Sequence, residues 1–313
     1  MDTIVNSDNT IRPQESVTTS GGGAGPDELV PSRYALRVGA IEVLVISDGV
    51  LPQPAATIGT NADPAELAAW LDDMRMQPDD FKWPLNVVVV RSGEQTILVD
   101  TGVGEEFHSP RSGHLASRLA AAGIDPASIT DVVLTHMHVD HVGGLLADGL
   151  MGRLRPDVPI HVAAAETKFW TSPSYPTYMP APVRDVLGPV ATRFLDKYRG
   201  QLKLFDRQHE VAPGVVVRRT GGHTPGHSVV RLASGGERMT FLGDSVFHNH
   251  FERPDWYNAF DHDPEEAVRV RTRLLRELAE SRELLVAAHV SFPFGRVALA
   301  GDAFRFIPAY WEY

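Results

Sequence analysis

The segment Thr135–His141 carries the densest group of side chains that can bind a metal ion. It reads Thr-His-Met-His-Val-Asp-His and follows the strand-like run Asp131–Leu134. If Val132–Thr135 is a β-strand, the period-two alternation of side chains sends His136 and His138 to the same side. Both imidazoles can then bind one ion.

Asp140 and His141 extend this segment toward a second ion. They come where the strand is expected to end and a Gly143–Gly144 turn to begin, so the change of backbone direction can aim them beside the first ion. Four metal-binding side chains at this spacing favour a metal site over a surface loop that is rich in histidine by chance. Imidazole and carboxylate without thiolate suit Zn²⁺ first, with Mn²⁺, Fe or Co²⁺ as alternatives that the residues do not exclude.

Two ions need about three protein ligands each and a shared bridge, so further donors are expected at later strand ends. Three candidates follow strand-like runs: His223 in the motif Gly221–His227, Asp244 after Phe241-Leu242-Gly243, and His289 after Leu284–Ala288. A carboxylate can lend one oxygen to each of two cations, and Asp244 is therefore the expected bridge. His289 would complete the second site.

The order and context of these motifs resemble the metallo-β-lactamase superfamily, whose pattern is HxHxDH, then GH, then GD, then a late His. The resemblance runs from about Tyr34 to the C-terminus. It implies a first site of His136, His138 and His223, a second of Asp140, His141 and His289, and Asp244 between them.

Within this superfamily, the stretches His289–Val297 and Phe304–Pro308 look more like the methyl parathion hydrolase and lactonase branch than like true β-lactamases. Many lactonases carry a Tyr three residues after the bridging Asp, but this chain has Phe247, so a hydroxyl donor is missing there. The resemblance implies substrate contacts from Phe107, Trp170 and Phe247. His248 and His250 follow Asp244 closely, so either could face the pocket and serve as a proton carrier, and His250 is included among the predicted substrate contacts. The alternatives are core packing for the aromatic residues and a polar loop position for His250.

Hydrolysis is the chemistry that such a centre predicts. Two cations about 3.5 to 4 Å apart can share a hydroxide and bring the pKa of water to about 7. The bridging hydroxide would attack a lactone, an aryl ester or an organophosphate triester, and Asp140 would accept the proton as the intermediate collapses. Asp140 and Asp244 are therefore the predicted catalytic carboxylates.

Three other functions share this type of site. A thioesterase of the glyoxalase II kind needs a basic, helical C-terminal region, whereas this chain ends in an aromatic, strand-like stretch. A persulfide dioxygenase would use a single Fe and O₂. A ligand-binding protein without catalysis is disfavoured because degenerate members usually lose ligands, and here the set is intact.

Composition narrows the partners and the compartment. The 313 residues carry a formal net charge of −11 and no cysteine, which removes thiolate ligands and disulfides. This charge, without a Lys/Arg cluster, argues against a nucleic-acid partner. Because the chain shows neither a run of about 18 apolar residues nor a secretory signal pattern, we expect a cytoplasmic protein with no membrane partner.

The elements around these motifs alternate in the order of a four-layer αββα sandwich. Strands and then helices occur twice, and Asp63 and Asp263 each cap a helix that begins with proline. Residues 164–200 are predicted to be mostly helical, with prolines that suggest a lid. Residues 1–33 predict a mobile arm ahead of a hydrolase domain at 34–313. The resemblance also makes a homodimer plausible, because related enzymes often pair through such arms.

Overall fold

The computed structural model describes residues 31–78, 81–104, 111–174, 181–290 and 294–309. The predicted N-terminal arm falls almost entirely outside these residues, and its last member, Arg33, already begins the first strand. Ser32–Tyr313 form one compact unit.

The first sheet contains seven strands that lie side by side in chain order. The first four strands pair antiparallel, and each later strand pairs parallel with the one before it. Both predicted hairpins are present, because β1 pairs with β2 and β3 pairs with β4. The strands are β1 Arg33–Val38, β2 Ile41–Gln53, β3 Phe81–Ser92, β4 Gln95–Val99, β5 Asp131–Val133, β6 Ile160–Ala163 and β7 Leu202–Phe205.

The second sheet also contains seven strands, in the order β14-β13-β12-β11-β10-β9-β8. Only β11 and β12 pair parallel. The strand β8 was not predicted, because its first three side chains are polar and exposed and give no apolar alternation. The strands are β8 Gln208–Ala212, β9 Val215–Arg219, β10 Ser228–Ser234, β11 Glu237–Phe241, β12 Leu284–Val286, β13 Gly295–Ala300 and β14 Ala303–Pro308.

Seven α-helices lie within the described residues. They are α1 Pro64–Asp73, α2 Leu115–Ala121, α3 Val139–Leu146, α4 Asp148–Met151, α5 Ala164–Trp170, α6 Ala181–Tyr198 and α7 Pro264–Ser281. Both predicted caps are confirmed, since Asp63 accepts hydrogen bonds from the backbone N–H groups of α1 and Asp263 does so for α7. None of the described helices is long and apolar enough to cross a membrane.

Three apolar clusters define four layers. Alternate side chains of both sheets meet between the sheets, for example Val88 of β3 and Val230 of β10. Helices α2, α3, α5 and α6 cover the outer face of the first sheet. Helix α7 covers the second sheet with an apolar stripe that includes Val270 and Leu274. The predicted αββα sandwich is therefore confirmed.

The histidine-rich segment differs from the prediction in its local structure. Strand β5 ends at Val133 rather than Thr135. The expected Gly143–Gly144 turn is wrong, because both glycines lie inside α3, whereas the short helix that the sequence also predicts at His141–Leu146 is confirmed. The glycines are needed because this helix packs directly on backbone: a Cβ atom at Gly143 would lie 2.2 Å from the carbonyl oxygen of Val103.

Candidate metal centre

The seven predicted metal-binding side chains converge into two groups that share one residue. Within each group, one ligand atom from every residue lies within 4.8 Å of the others. Asp244 belongs to both groups, as expected of a bridge. The first group is His136, His138, His223 and Asp244, and the second group is Asp140, His141, His289 and Asp244.

The ends of strands bring these side chains together. His136 and His138 lie on the loop after β5, and His138 is the N-cap residue of α3. Asp140 and His141 follow in the first turn of that helix. The other three ligands lie on the loops that follow β9, β11 and β12. The turn of α3, rather than a glycine turn, therefore aims the second pair of ligands.

In the first group, the ring nitrogens of His138 and His223 face each other. His138 Nδ1 lies 3.1 Å from His223 Nε2. The Oδ2 atom of Asp244 lies 3.4 Å from His223 Nε2 and 3.9 Å from His136 Nε2. All four side chains are buried.

In the second group, both histidines face carboxylates. His289 Nε2 lies 3.2 Å from Oδ2 of Asp140 and 3.2 Å from Oδ2 of Asp244. His141 Nε2 lies 3.2 Å from Oδ1 of Asp244 and 3.5 Å from Oδ2 of Asp140. Asp244 thus directs one carboxylate toward both groups.

Several inward atoms fit a metal ligand set. His136 Nε2, His138 Nε2, His141 Nε2 and Asp244 Oδ1 are buried and make no hydrogen bond, although His141 Nε2 and Asp244 Oδ1 lie 3.2 Å apart. Buried polar atoms usually have hydrogen-bond partners, so four such atoms in one cluster fit a further species bound there. Imidazole nitrogen and carboxylate oxygen are donors that Zn²⁺ and related divalent cations accept. The residues present therefore fit two divalent ions.

Outer partners fix which ring nitrogen points inward. His223 Nδ1 lies 2.9 Å from Oδ1 of Asp261, and His141 Nδ1 lies 2.8 Å from Oδ2 of Asp100. His289 Nδ1 lies 2.7 Å from the carbonyl oxygen of Pro84, which can only accept a hydrogen bond. Because the outward nitrogen of each ring donates its proton, the Nε2 lone pair remains for a metal ion.

The electrostatics of the two groups differ. Burial lowers the pKa of His136 and of His138 well below the usual range, and repulsion from neighbouring histidines adds to this effect. Burial also opposes the charged form of His289, but Asp244 and Asp140 outweigh it and raise that pKa to about 10. The pKa of His141 is likewise raised, against burial, by Asp244, Asp140 and Asp100.

Comparison with known proteins gives the same picture as this geometry. The family model for the metallo-β-lactamase superfamily matches residues 81–289. The chain belongs to the metallo-β-lactamase superfamily.

Two solved structures of the superfamily fold resemble this chain over most of its length. A dizinc quorum-quenching lactonase, AidC, superposes with a TM-score of 0.82 at 26% identity, covering 90% of this chain and 99% of that one. A hydrolase of the β-lactamase superfamily, AbOPH, superposes with a TM-score of 0.81 at 25% identity and the same coverage.

One curated relative matches a shorter region. An atrochrysone carboxyl ACP thioesterase from Passalora fulva is 30% identical over 166 residues, which is 51% of this chain and 38% of that protein. This chain therefore spans less than half the length of that relative.

The predicted aromatic substrate contacts lie in different places. Phe107 lies outside the described residues. The Trp170 ring packs edge-on against His138, with centroids 5.9 Å apart. Phe247 stacks on His289 at 4.9 Å with an interplanar angle of 16°, and Trp83 packs against both rings. Phe247 is only 1% exposed, and it packs on His289, one of the candidate metal ligands.

His250 differs from its prediction. Its ring is completely buried, Nδ1 accepts a hydrogen bond from the Phe247 N–H at 3.1 Å, and Nε2 lies 2.8 Å from Nη1 of Arg271. Because both nitrogens contact the protein, the structure gives His250 a role in holding Phe247 rather than in contacting substrate. His227, in turn, accepts the N–H of Asp244 on Nε2 at 3.0 Å and so holds the bridging residue.

The sequence analysis missed several residues that support the site, among them Arg271, Asp261 and Asn86. Arg271 is completely buried, and its Nη2 lies 2.6 Å from Oδ2 of Asp261, the partner of His223. The side-chain amide of Asn86 donates to the carbonyl oxygens of Ala287 and Val290, on both sides of His289. Of these residues, Arg271 could have been found from the sequence, because it is a charged residue within the otherwise apolar stripe of α7.

Proposed function

We propose that this protein is a metal-dependent hydrolase that binds two divalent cations, zinc in the first instance, and cleaves an ester-type bond in a small apolar substrate. The observation that carries the proposal is the position of Asp244, whose carboxylate lies within 3.4 Å of ligand atoms from both groups. A second group of four ligand residues favours two ions over the single iron of a dioxygenase. The likeness to the dizinc lactonase supports the same assignment.

The residues of the two groups have different roles in the proposed reaction. His136, His138 and His223 would hold one ion, and Asp140, His141 and His289 the other, with Asp244 between them. Bound there, two divalent cations supply an ionised water at neutral pH and polarise the bond to be cleaved. Asp140 is the most exposed carboxylate of the centre, at 12% for its side chain, and would accept a proton on the substrate side.

Aromatic rings favour an apolar substrate. Trp170 and Phe260 pack against His138, while Trp83 and Phe247 pack against His289. Packed against the candidate ligands, these rings keep water away from them and make the surroundings of the centre apolar. Lactones, aryl esters and organophosphate triesters all meet this requirement. The proposal also retains a small-molecule substrate, a cytoplasmic protein without nucleic-acid or membrane partners, and a possible homodimer as predictions.

Thioester hydrolysis is the second candidate. It is favoured by the 30% identity to a thioesterase. A thioester presents the same carbonyl carbon with a sulfur leaving group, so the same carboxylates and histidines can serve it. The two candidates differ in substrate and not in the metal centre.

The test combines metal analysis with a substrate panel. Protein stripped by a chelator is reloaded with Zn²⁺, Mn²⁺, Co²⁺ or Fe²⁺, and bound metal and turnover are measured on chromogenic lactones, esters, thioesters and phosphotriesters. We expect two equivalents of metal and restored hydrolysis in the absence of O₂. In Asp244→Asn, metal affinity and turnover should fall by more than about 100-fold, the upper range for residues that only support ligands.

The matched control for this variant is Asp302→Asn, which removes an exposed carboxylate in the turn between β13 and β14. It should retain both metal equivalents and full turnover. One equivalent of iron with O₂-dependent turnover, or full activity in Asp244→Asn, would disprove the proposal.

A further inference from the structure

Glu166 is a completely buried carboxylate that neither the metal groups nor the proposed chemistry uses. It lies in the first turn of α5. Its Oε1 accepts hydrogen bonds from the Met137 N–H at 3.0 Å and from the Trp170 indole N–H at 2.8 Å. Its Oε2 accepts from the Thr224 hydroxyl at 2.6 Å and from the Gly226 N–H at 3.0 Å.

Three of these four donors come from the two loops that carry the histidines of the first group, and the fourth, Trp170, lies on α5 itself. Met137 lies between His136 and His138, and Thr224 follows His223 directly. The contact between α5 and the second loop is close, since a Cβ atom at Gly226 would lie 2.3 Å from the backbone nitrogen of Glu166. One carboxylate therefore joins the two loops at the position where their histidines meet.

We propose that Glu166 is a positioning residue for the first metal group, fixing the loop of His136 and His138 against the loop of His223. The inference rests on the proposed metal centre and deepens it. Through Trp170, the same carboxylate also holds an aromatic ring against His138. Glu166 thus sets the spacing of ligands and the adjacent wall of the substrate pocket together.

A carboxylate suits this role better than a side chain that carries a donor of its own. Two carboxylate oxygens offer about four lone-pair sites, and here four donors fill them. In Glu166→Gln, one end becomes an NH₂ group that faces the N–H of Met137 or of Gly226, so one loop loses its anchor.

Separating the two groups makes the test specific. In a His289→Ala background, Co²⁺ binding and its visible spectrum report the first group, and in a His136→Ala background they report the second. We expect Glu166→Gln to weaken Co²⁺ binding in the first background by about 10- to 100-fold. In the second background the loss should be clearly smaller, because Asp140 and His141 lie in the first turn of α3 and His289 lies on a loop that Glu166 does not contact.

Two outcomes overturn the inference. Equal losses in both backgrounds would mean that Glu166 only stabilises the fold, and unchanged binding in the first background would mean that it does not position these ligands. Failure of the wild-type protein to bind Co²⁺ would instead overturn the proposed function. Thermal unfolding of the metal-free variants records any general loss of stability separately.

A milder pair of variants serves if Glu166→Gln does not fold. Thr224→Val removes one hydroxyl donor to Glu166, and Thr240→Val removes a hydroxyl that donates to Glu283 over the same 2.6 Å. Both threonines are at most 1% exposed, so the losses of burial and hydrogen bonding are alike. Thr224→Val should weaken first-group Co²⁺ binding by about fivefold. Thr240→Val should leave it unchanged, and equal effects of the two would overturn the inference.

Discussion

The two halves of the candidate metal centre share Asp244 but are built in opposite ways. In the first group, burial and mutual repulsion keep His136 and His138 neutral, with pKa values well below the usual range. In the second group, carboxylates face the histidines and raise the pKa of His141 and His289. Neutral imidazole is the form that binds metal, so the first group is ready to bind while the second must release protons.

The supports of the two groups differ as well. Charged side chains from α5 and α7 hold the first group, through Glu166 and through the pair of Arg271 and Asp261. The first half of strand β3 holds His289 of the second group, through the Pro84 carbonyl and the Asn86 amide, while Asp100 contacts His141. The first group should therefore respond to changes of the charged side chains that support it, and His289 to changes of hydrogen bonding and packing along β3.

The largest effect is expected from Arg271→Leu. The variant leaves the buried carboxylate of Asp261 without its cation, which typically costs about 3 to 5 kcal/mol of unfolding free energy. Because Asp261 orients His223, first-group Co²⁺ binding should weaken more than second-group binding. Denaturant unfolding and Co²⁺ titration measure the two effects.

The control on the same helix is Arg273→Leu. Its side chain is 54% exposed and forms an ion pair with Glu277 at 3.8 Å, so the free energy of unfolding should change by at most about 0.5 kcal/mol. If Arg271→Leu weakened Co²⁺ binding equally in both groups, the two groups would not have separate supports.

Asp48 gives a pH-dependent test on the side of the second group. Burial raises its pKa to about 6, although hydrogen bonds from the N–H groups of Val103 and Leu115 and the charge of Arg118 act in the opposite direction. Asp48 holds the loop in which Thr101 donates both its N–H and its hydroxyl to the carbonyl of His141.

The sign of this pH effect follows from the raised pKa. The folded protein binds the Asp48 proton more tightly than the unfolded chain, whose carboxyl has a pKa of 3.8. The Asp48 contribution to stability is therefore fully present below pH 4 and is lost as pH rises through 6, by roughly 3 kcal/mol. Unfolding of metal-free protein should show this loss in wild type and in Asp302→Asn but not in Asp48→Asn. A wild-type curve parallel to that of Asp48→Asn would contradict the assignment.

The convergence of the candidate ligands and the positions of most strands were predictable from the sequence, because each depends on a short stretch of chain. Apolar runs mark the strands, and each ligand motif directly follows one. The supporting residues depend on contacts between distant parts of the chain. Asn86 contacts a carbonyl 201 positions away, and Glu166 contacts a residue 58 positions away. No local pattern encodes such pairs, and the turn expected at Gly143–Gly144 failed for the same reason, since the partner of these glycines is a separate loop.

Asn86→Ala tests the strand support of the second group. It removes the donors to the carbonyls of Ala287 and Val290 while leaving the backbone N–H that donates to Ala288. Freed on both sides, His289 should bind Co²⁺ in the His136→Ala background about 10- to 100-fold more weakly. First-group binding in the His289→Ala background should change within about twofold.

Asn249→Ala is the matched control for Asn86→Ala. Asn249 is also a buried asparagine, and its amide donates to the carbonyl of Ile58 at 2.8 Å. It should lose a similar amount of stability, about 1 to 3 kcal/mol, without a selective change in second-group binding. A selective loss in this control would show that second-group binding follows general stability.

The smallest effect is expected from Phe247→Leu. This variant keeps an apolar side chain but removes the ring that stacks on His289, an arrangement worth about 0.5 to 1.5 kcal/mol beyond apolar burial. If packing holds the second group, Co²⁺ binding there should weaken by about fivefold and binding to the first group should not change. Phe251→Leu is the control, because Phe251 is equally buried but packs on Phe306. If Phe247→Leu weakened Co²⁺ binding to the first group as much as to the second, the ring would support the whole centre. The two groups would then differ only in the charged side chains that contact them.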